Sequence, residues 1–287
     1  MTLQTAYDAF RKGYIETRLR PTTAEGYMTN MKLHVLPSLG GCDLDQITVN
    51  DLDVIAQRMR ENGYKTRTVV YALSTLRKLM NWSIKRGWTE NNVFGHYDMP
   101  KVQAYNYVTL TEDQITRLLA VTRGTCMHAP LVMALCYGLR RGEVLGINIY
   151  TDYDKRTGTL KISRTRTVVH GNDVITPCKT KRSQRVILIA EPHRSIFQTH
   201  ATQEYLDGLT PAILDKALQT VLRRYGFPRV RFHDLRHSYA TMMLNHGINP
   251  KIVQSVLGHS SVSVTLDIYS HPTIGLQEAC VQIVGGK

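Results

Sequence analysis

The spacing of apolar residues changes twice along this chain, and that change limits what it can fold into. Over residues 1–94 apolar positions recur at three- and four-residue steps, most plainly at Val69, Val70, Leu73, Leu76, Met80 and Ile84, which a helix brings onto one face. Between residues 159 and 190 the step falls to two, in TLKIS, RTRTVVH, DVITP and QRVILIA, as half-buried strands require. From Pro211 onward the helical spacing returns. The pattern predicts a mainly α chain with a small antiparallel β-sheet, an α+β fold.

Punctuation divides the helical stretches. A first helix is expected over Leu3–Arg18, and a second after Pro21, capped by Thr22 or Thr23 and stopped near Val35 by Pro37 and Gly40-Gly41. A third runs from Asn50, read as its N-cap, to Asn62, and a fourth from Thr66 to Arg86, before Gly87. Residues 95–109 contain Gly and Pro and lack apolar periodicity, which marks a linker. The expected division is therefore a helical domain over 1–94, a linker over 95–109 and a mixed domain over 110–287. In the mixed domain, Thr111-Glu112-Asp113 opens a helix to Val121, another covers Ala129–Tyr137, and a short apolar helix closes the chain within Thr273–Val284.

Charge narrows the partner. The chain carries 36 Lys+Arg against 23 Asp+Glu, a formal +13, and the excess is uneven: 13 basic against 10 acidic residues over 1–100, but 23 against 13 over 101–287. Ten of the basic residues fall within 155–194, where the acidic ones are Asp173 and Glu191. Such a surplus suits a nucleic-acid backbone, whose condensed counterions Lys and Arg displace; a merely solvated basic surface is the alternative. No stretch approaches the ~20 apolar residues of a membrane span, and the start lacks a secretory pattern, so a cytoplasmic protein is expected. Five scattered cysteines (Cys42, Cys126, Cys136, Cys178, Cys280) without a CxxC argue against a disulfide framework or a cysteine zinc cluster.

Two short segments carry chemistry. In RFHDLRHSYATMMLNHG, helical spacing puts His233, Arg236 and His237 on one face, while Leu235, Tyr239, Met242 and Met243 can face a core. Taken alone, the segment fits a His-x-x-x-His metal pair, a satisfied structural cluster or an anion site; Arg236 beside the metal and Asp234 in place of a longer Glu speak against the first. In GLRRGEVLGI, Arg140 follows a helix-ending Gly138, with Arg141 as its adjacent rival and Glu143 placed to orient an arginine or a histidine. A guanidinium there grips phosphate oxygens or simply pairs with Glu143 at the surface.

The order of motifs is more specific than any one of them. Arg140 in GLRRGE, Lys179 in CKTKRSQRVIL, His233 and Arg236 in HDLRH, His259 in LGHSS and Tyr269 in TLDIYSH follow the chain order of the tyrosine recombinase (phage integrase) family, which the sequence resembles from about residue 1 to 280. The resemblance implies a helical core-binding domain followed by a catalytic domain. It implies that Tyr269, one of 15 tyrosines, attacks a DNA phosphodiester to form a 3′-phosphotyrosyl link. Arg140 and Arg236 would hold the non-bridging oxygens, Lys179 would protonate the leaving 5′-oxygen, His233 would shuttle the tyrosine proton and His259 would donate to the phosphate. Lys181 competes with Lys179 for its role, and His237 is expected to support rather than react. No cofactor and no metal are implied.

The resemblance implies the family's partners and setting: double-stranded DNA bearing specific sites, a homotetramer on that DNA whose protomers exchange the C-terminal helix, an excisionase or a DNA-bending accessory protein, and a place on the nucleoid of a bacterial or phage-infected cell. Charge and position nominate DNA contacts at Lys65 and Arg67 at a helix start, at Arg77, Lys78, Lys85 and Arg86 along that helix, and at Lys181 and Arg182 in a basic turn. Two features depart from the pattern. Ile147-Asn148-Ile149-Tyr150 stands where the family often shows Leu-x-Trp, and the core-binding helices begin almost at Met1, without the arm-binding domain many integrases carry. Either the protein is a two-domain recombinase, as Xer proteins are, or a longer chain was trimmed; KTKRSQRVI and TEDQ favour a mobile-element integrase over an Xer dimer resolvase. A type IB topoisomerase or an inactive DNA-binding regulator are the further alternatives.

Overall fold

The structure, a computed structural model, describes residues 1–103, 107–178, 180 and 183–258. The chain forms two compact units, Met1–Tyr105 and Asn106–Lys287.

The first unit is all helical. Leu3–Phe10 continues through a π-helical turn, Arg11–Ile15, into Glu16–Arg18, and Pro21–Asn30 continues in the same way through Met31–Val35 into Leu36–Leu39. Two expectations are corrected here. The second helix starts on Pro21 itself, without a threonine cap, because proline's fixed φ suits a first helical position. It also runs past Pro37, because the π turn ends beside it and Pro37 falls in the first turn of a new helical segment, where a missing N–H costs little. The third helix is Val49–Glu61, and its cap is Thr48 rather than Asn50: Asp51 accepts from the Thr48 backbone N–H at 2.8 Å in a reciprocal capping box. The fourth is Thr66–Ile84. These helices enclose a core that includes Leu3, Phe10, Met31, Leu52, Ile55, Leu73 and Leu76. Asn91 fastens the chain behind the last helix by donating to the carbonyls of Leu44 and Ile47, both at 2.8 Å.

The second unit is mixed. The helix Glu112–Thr122 begins with a Thr111–Gln114 capping box, and His128–Leu135 is buried from Ala129 through Leu135, as an element with no polar face must be. After Arg141–Gly146 and Ile149–Asp152 come five strands, β1 (Tyr153–Asp154), β2 (Thr159–Ile162), β3 (Arg164–Val169), β4 (Asn172–Pro177) and β5 (Arg185–Leu188). They form two antiparallel sheets where one was expected: β1-β2-β5 and the separate hairpin β3-β4. In the first sheet Leu160 pairs with Ile187 on the buried side, while Lys161 pairs with Val186 facing out. In the hairpin five of the six β3 residues are only half-buried, so period-2 spacing signals strands without saying which will pair. Beyond β5 lie Glu191–Arg194, the short helix His200–Gly208, not expected from the sequence, and then Pro211–Arg224, Phe232–Asn245 and Pro250–Leu257. Phe232–Asn245 packs against the buried His128–Leu135.

Candidate active site

Three arginines gather around one carboxylate and one helix end. After His128–Leu135 the chain turns at Gly138, with φ +64°, and a Cβ there would stand 2.4 Å from a Leu257 methyl and 2.7 Å from the Tyr239 ring. Only glycine lets the two elements approach this closely. Two residues on, Arg140 caps the helix Arg141–Gly146: its backbone N–H donates to Glu143 Oε2 at 2.9 Å and its Nη1 to Oε1 at 2.7 Å. Arg185, the first residue of β5, donates Nη2 to Glu143 Oε2 at 2.9 Å and Nη1 to Oε1 at 3.1 Å. Arg236 Nη1 stands 3.9 Å from the same carboxylate and donates to Gly138 O at 2.6 Å.

The helix Pro250–Leu257 supplies the remaining acceptors. It ends at Gly258, left-handed at φ 66° and ψ 43°, which leaves its last carbonyls free of intrahelical partners. Val256 O accepts from Arg185 Nε, Leu257 O from Arg236 Nη2 at 2.7 Å, and Gly258 O from Arg140 Nη2 at 3.1 Å. The negative end of a helix dipole thus faces three cations. Burial pushes the Glu143 carboxyl up, but the Arg185 hydrogen bonds and the charges of Arg185 and Arg140 outweigh it and hold its pKa at about 2. For Arg236, 1% exposed, burial first and the neighbouring Arg140 second lower the pKa while Glu143 raises it; a guanidinium starts so basic that it stays charged. Three positive charges against one negative leave a net positive cluster that attracts an anion.

The histidines stand on the next turn. Asp234, fully buried, accepts from the Arg231 backbone N–H at 2.8 Å and fixes the start of Phe232–Asn245. His233 keeps an exposed edge, yet desolvation, then the charges of Arg236 and Arg140, lower its pKa, so it is neutral and able to accept a proton near pH 7. Its ring meets His237 edge-on at 4.9 Å, and His237 lies against Tyr107 at 4.2 Å. His237 Nδ1 is buried and has no hydrogen-bond partner among the described residues, and burial followed by the His233 charge lowers its pKa to about 4. Among the described residues no third His, Cys, Asp or Glu joins these two histidines.

Arg140, His233 and Arg236 are thus brought into one region, while Arg141 turns away to pair with Asp215. Lys179, Lys181, Arg182, His259 and Tyr269 lie outside the described residues, as does Thr273–Val284. Sequence reasoning missed Arg185 as part of the site. The available signal was its place at the inward step of β5, two residues before the buried Ile187, where an unpaired charge is untenable. In the first unit Lys65, Arg67, Arg77 and Lys78 are exposed along the Thr66–Ile84 helix, with Lys78 5.3 Å above the Tyr14 ring. Arg86 lies 3.6 Å over Trp82.

Residues 108–274 match the profile of the phage integrase family, and residues 2–68 match that of the phage integrase N-terminal SAM-like domain. The chain belongs to the phage integrase family, the tyrosine recombinases. It is 27% identical to the tyrosine recombinase XerC of Alcanivorax borkumensis, over 94% of this chain and 90% of the relative. It is 24% identical to the transposase of transposon Tn916 from Enterococcus faecalis, over 89% and 71%. Its fold matches that of the Tn1549 transposon integrase in complex with transposon right-end DNA, at a TM-score of 0.83, 22% identity and full coverage of both chains. A lambda integrase dimer bound to a core site matches at 0.69 and 17%, over 96% of this chain and 97% of that one.

Proposed function

We propose that this protein is a site-specific recombinase that breaks and rejoins DNA through a 3′-phosphotyrosyl intermediate, in the integration and excision of a mobile element. The observation that carries the reading is the convergence of Arg140 and Arg236 on the end of the helix leading to Gly258, a fixed pair of guanidinium forks with surplus positive charge. A phosphodiester presents the two non-bridging oxygens such a pair suits, and the charge that builds on them in the pentacoordinate transition state strengthens the contact. Tyr269 Oη attacks phosphorus and gives its proton to His233; the bond to the 5′-oxygen breaks and Lys179 protonates the leaving group, with His259 donating to the phosphate. A 5′-hydroxyl from a second strand then reverses the steps. The phosphotyrosyl bond conserves the energy of the broken one, so joining draws on side chains alone.

In this reading residues 1–94 are a core-binding domain whose Lys65, Arg67, Arg77 and Lys78 contact the backbone, joined through 95–109 to the catalytic domain 110–287, where Lys181 and Arg182 do the same. The partners are double-stranded DNA with specific sites and three further copies of the chain on it. The likeness to Tn916 transposase and Tn1549 integrase supports a mobile element. A second reading, an Xer-type dimer resolvase, is favoured by the even, nearly full-length likeness to XerC. The test common to both is Tyr269→Phe: it is expected to bind duplex DNA as the wild type does and to form no covalent adduct on a nicked suicide duplex, and an adduct from that variant removes the nucleophile assignment.

A further inference from the structure

On the reading just given, we propose that Arg185 is a positioning residue for Arg140: by occupying Glu143 it keeps that carboxylate from drawing the Arg140 fork away from the scissile phosphate. The argument begins with acceptor capacity. A carboxylate offers about four lone-pair directions. At Glu143 all four are taken, Oε1 by Arg140 Nη1 and Arg185 Nη1, Oε2 by the Arg140 backbone N–H and Arg185 Nη2. Arg185 itself has four of its five N–H donors engaged, because Nη1 also donates to Ser183 O at 3.1 Å and Nε to Val256 O, and its side chain is 7% exposed. It therefore has little left to offer a phosphate. The Arg140 side chain is 32% exposed, and one of its nitrogens faces Glu143 while the other reaches the helix end.

Taking Arg185 away leaves two empty acceptor directions on a carboxylate that is 1% exposed, an arrangement too costly to persist. The nearest remaining donors are the guanidiniums of Arg140, already at 2.7 Å, and Arg236, at 3.9 Å. Closing either onto Glu143 removes donors from the site where the phosphate must sit. Affinity for DNA, spread over many backbone contacts, changes little; stabilisation of the transition state suffers.

A double-mutant cycle tests this, with single-turnover cleavage of a nicked suicide duplex and equilibrium binding of the same duplex measured for wild type, R185Q, E143Q and the double variant. R185Q is expected to slow cleavage about a hundredfold, the cost of a small misplacement, with affinity within about threefold of wild type. In the E143Q background no carboxylate remains to capture Arg140, so adding R185Q is expected to cost less than about threefold more. Equal slowing in both backgrounds overturns the proposal, since Arg185 then acts independently of Glu143, and so does wild-type cleavage by R185Q. Melting curves show whether each variant folds. If R185Q does not, R185K keeps the charge but replaces the fork with a point donor and is read by the same rule, smaller slowing in the E143Q background supporting the proposal and equal slowing overturning it. Absence of any adduct from the wild-type protein counts against the recombinase reading instead.

Discussion

At the scale of single residues, the site is a problem of charge in a dry place, and protonation exposes it. Glu143 has a pKa of about 2 in the folded protein against 4.5 for the free group, so as the pH falls the unfolded chain takes up the proton first. The stability this gives, about 3 kcal/mol, is complete above pH ~4.5 and lost progressively toward pH ~2. His237 acts at higher pH: its folded pKa is about 4 against 6.5, so the unfolded chain again binds the proton first and stability falls as the pH drops from ~6.5 through ~4. Urea midpoints between pH 8 and pH 3 are expected to show both losses, with His237→Asn flattening the upper one and Glu143→Gln the lower; a Glu143→Gln protein as acid-sensitive as wild type below pH 4.5 contradicts the pairing described here. The sequence made Arg140, His233 and Arg236 legible because their motifs have fixed neighbours and order. It left Arg185 among ten basic residues, since whether an arginine faces solvent or a carboxylate depends on what the fold brings opposite it.

At the scale of elements, the site depends on two backbone features, the turn at Gly138 and the end of Pro250–Leu257. Gly138→Ala is expected to destabilise by about 2–4 kcal/mol, combining a left-handed conformation with a methyl driven into Leu257 and Tyr239, and to depress cleavage because Gly138 O is an acceptor of Arg236. Gly208→Ala, where nothing stands within 4 Å of the added carbon, serves as the control and is expected to shift the melting temperature by no more than a few degrees. Equal melting temperatures for the two variants would falsify the close-approach argument. Element types were readable from spacing, because three-and-four and two-residue steps are local properties. Starts and pairings were less so: Thr48 displaced Asn50 as a cap because Asp51 sits three residues beyond it to complete the box, and the four expected strands divided between two sheets because pairing is chosen by what covers each face.

At the scale of the whole molecule, each unit closes its own core, with Leu3 through Val93 in one cluster and Leu110 through Leu235 in another. A fragment of residues 1–105 is therefore expected to give a helical circular-dichroism spectrum and a single cooperative melt; a non-cooperative melt shows that its core needs the rest of the chain. The basic surplus also divides at this scale. Arg164 donates to Gly146 O and Asp152, Arg166 to Leu206 O, Asp207 O and Asp173, and Arg185 to Glu143, so part of the basic stretch holds the fold together, while Lys155, Arg156 and Lys161 stay exposed. The sequence by itself determined the class of fold and the family, because periodicity and motif order are properties of the chain. Only the tertiary structure decided which arginines share Glu143 and the carbonyls at the end of Pro250–Leu257, because Arg140, Arg185 and Arg236 are far apart in the chain and acquire common partners only when the core closes.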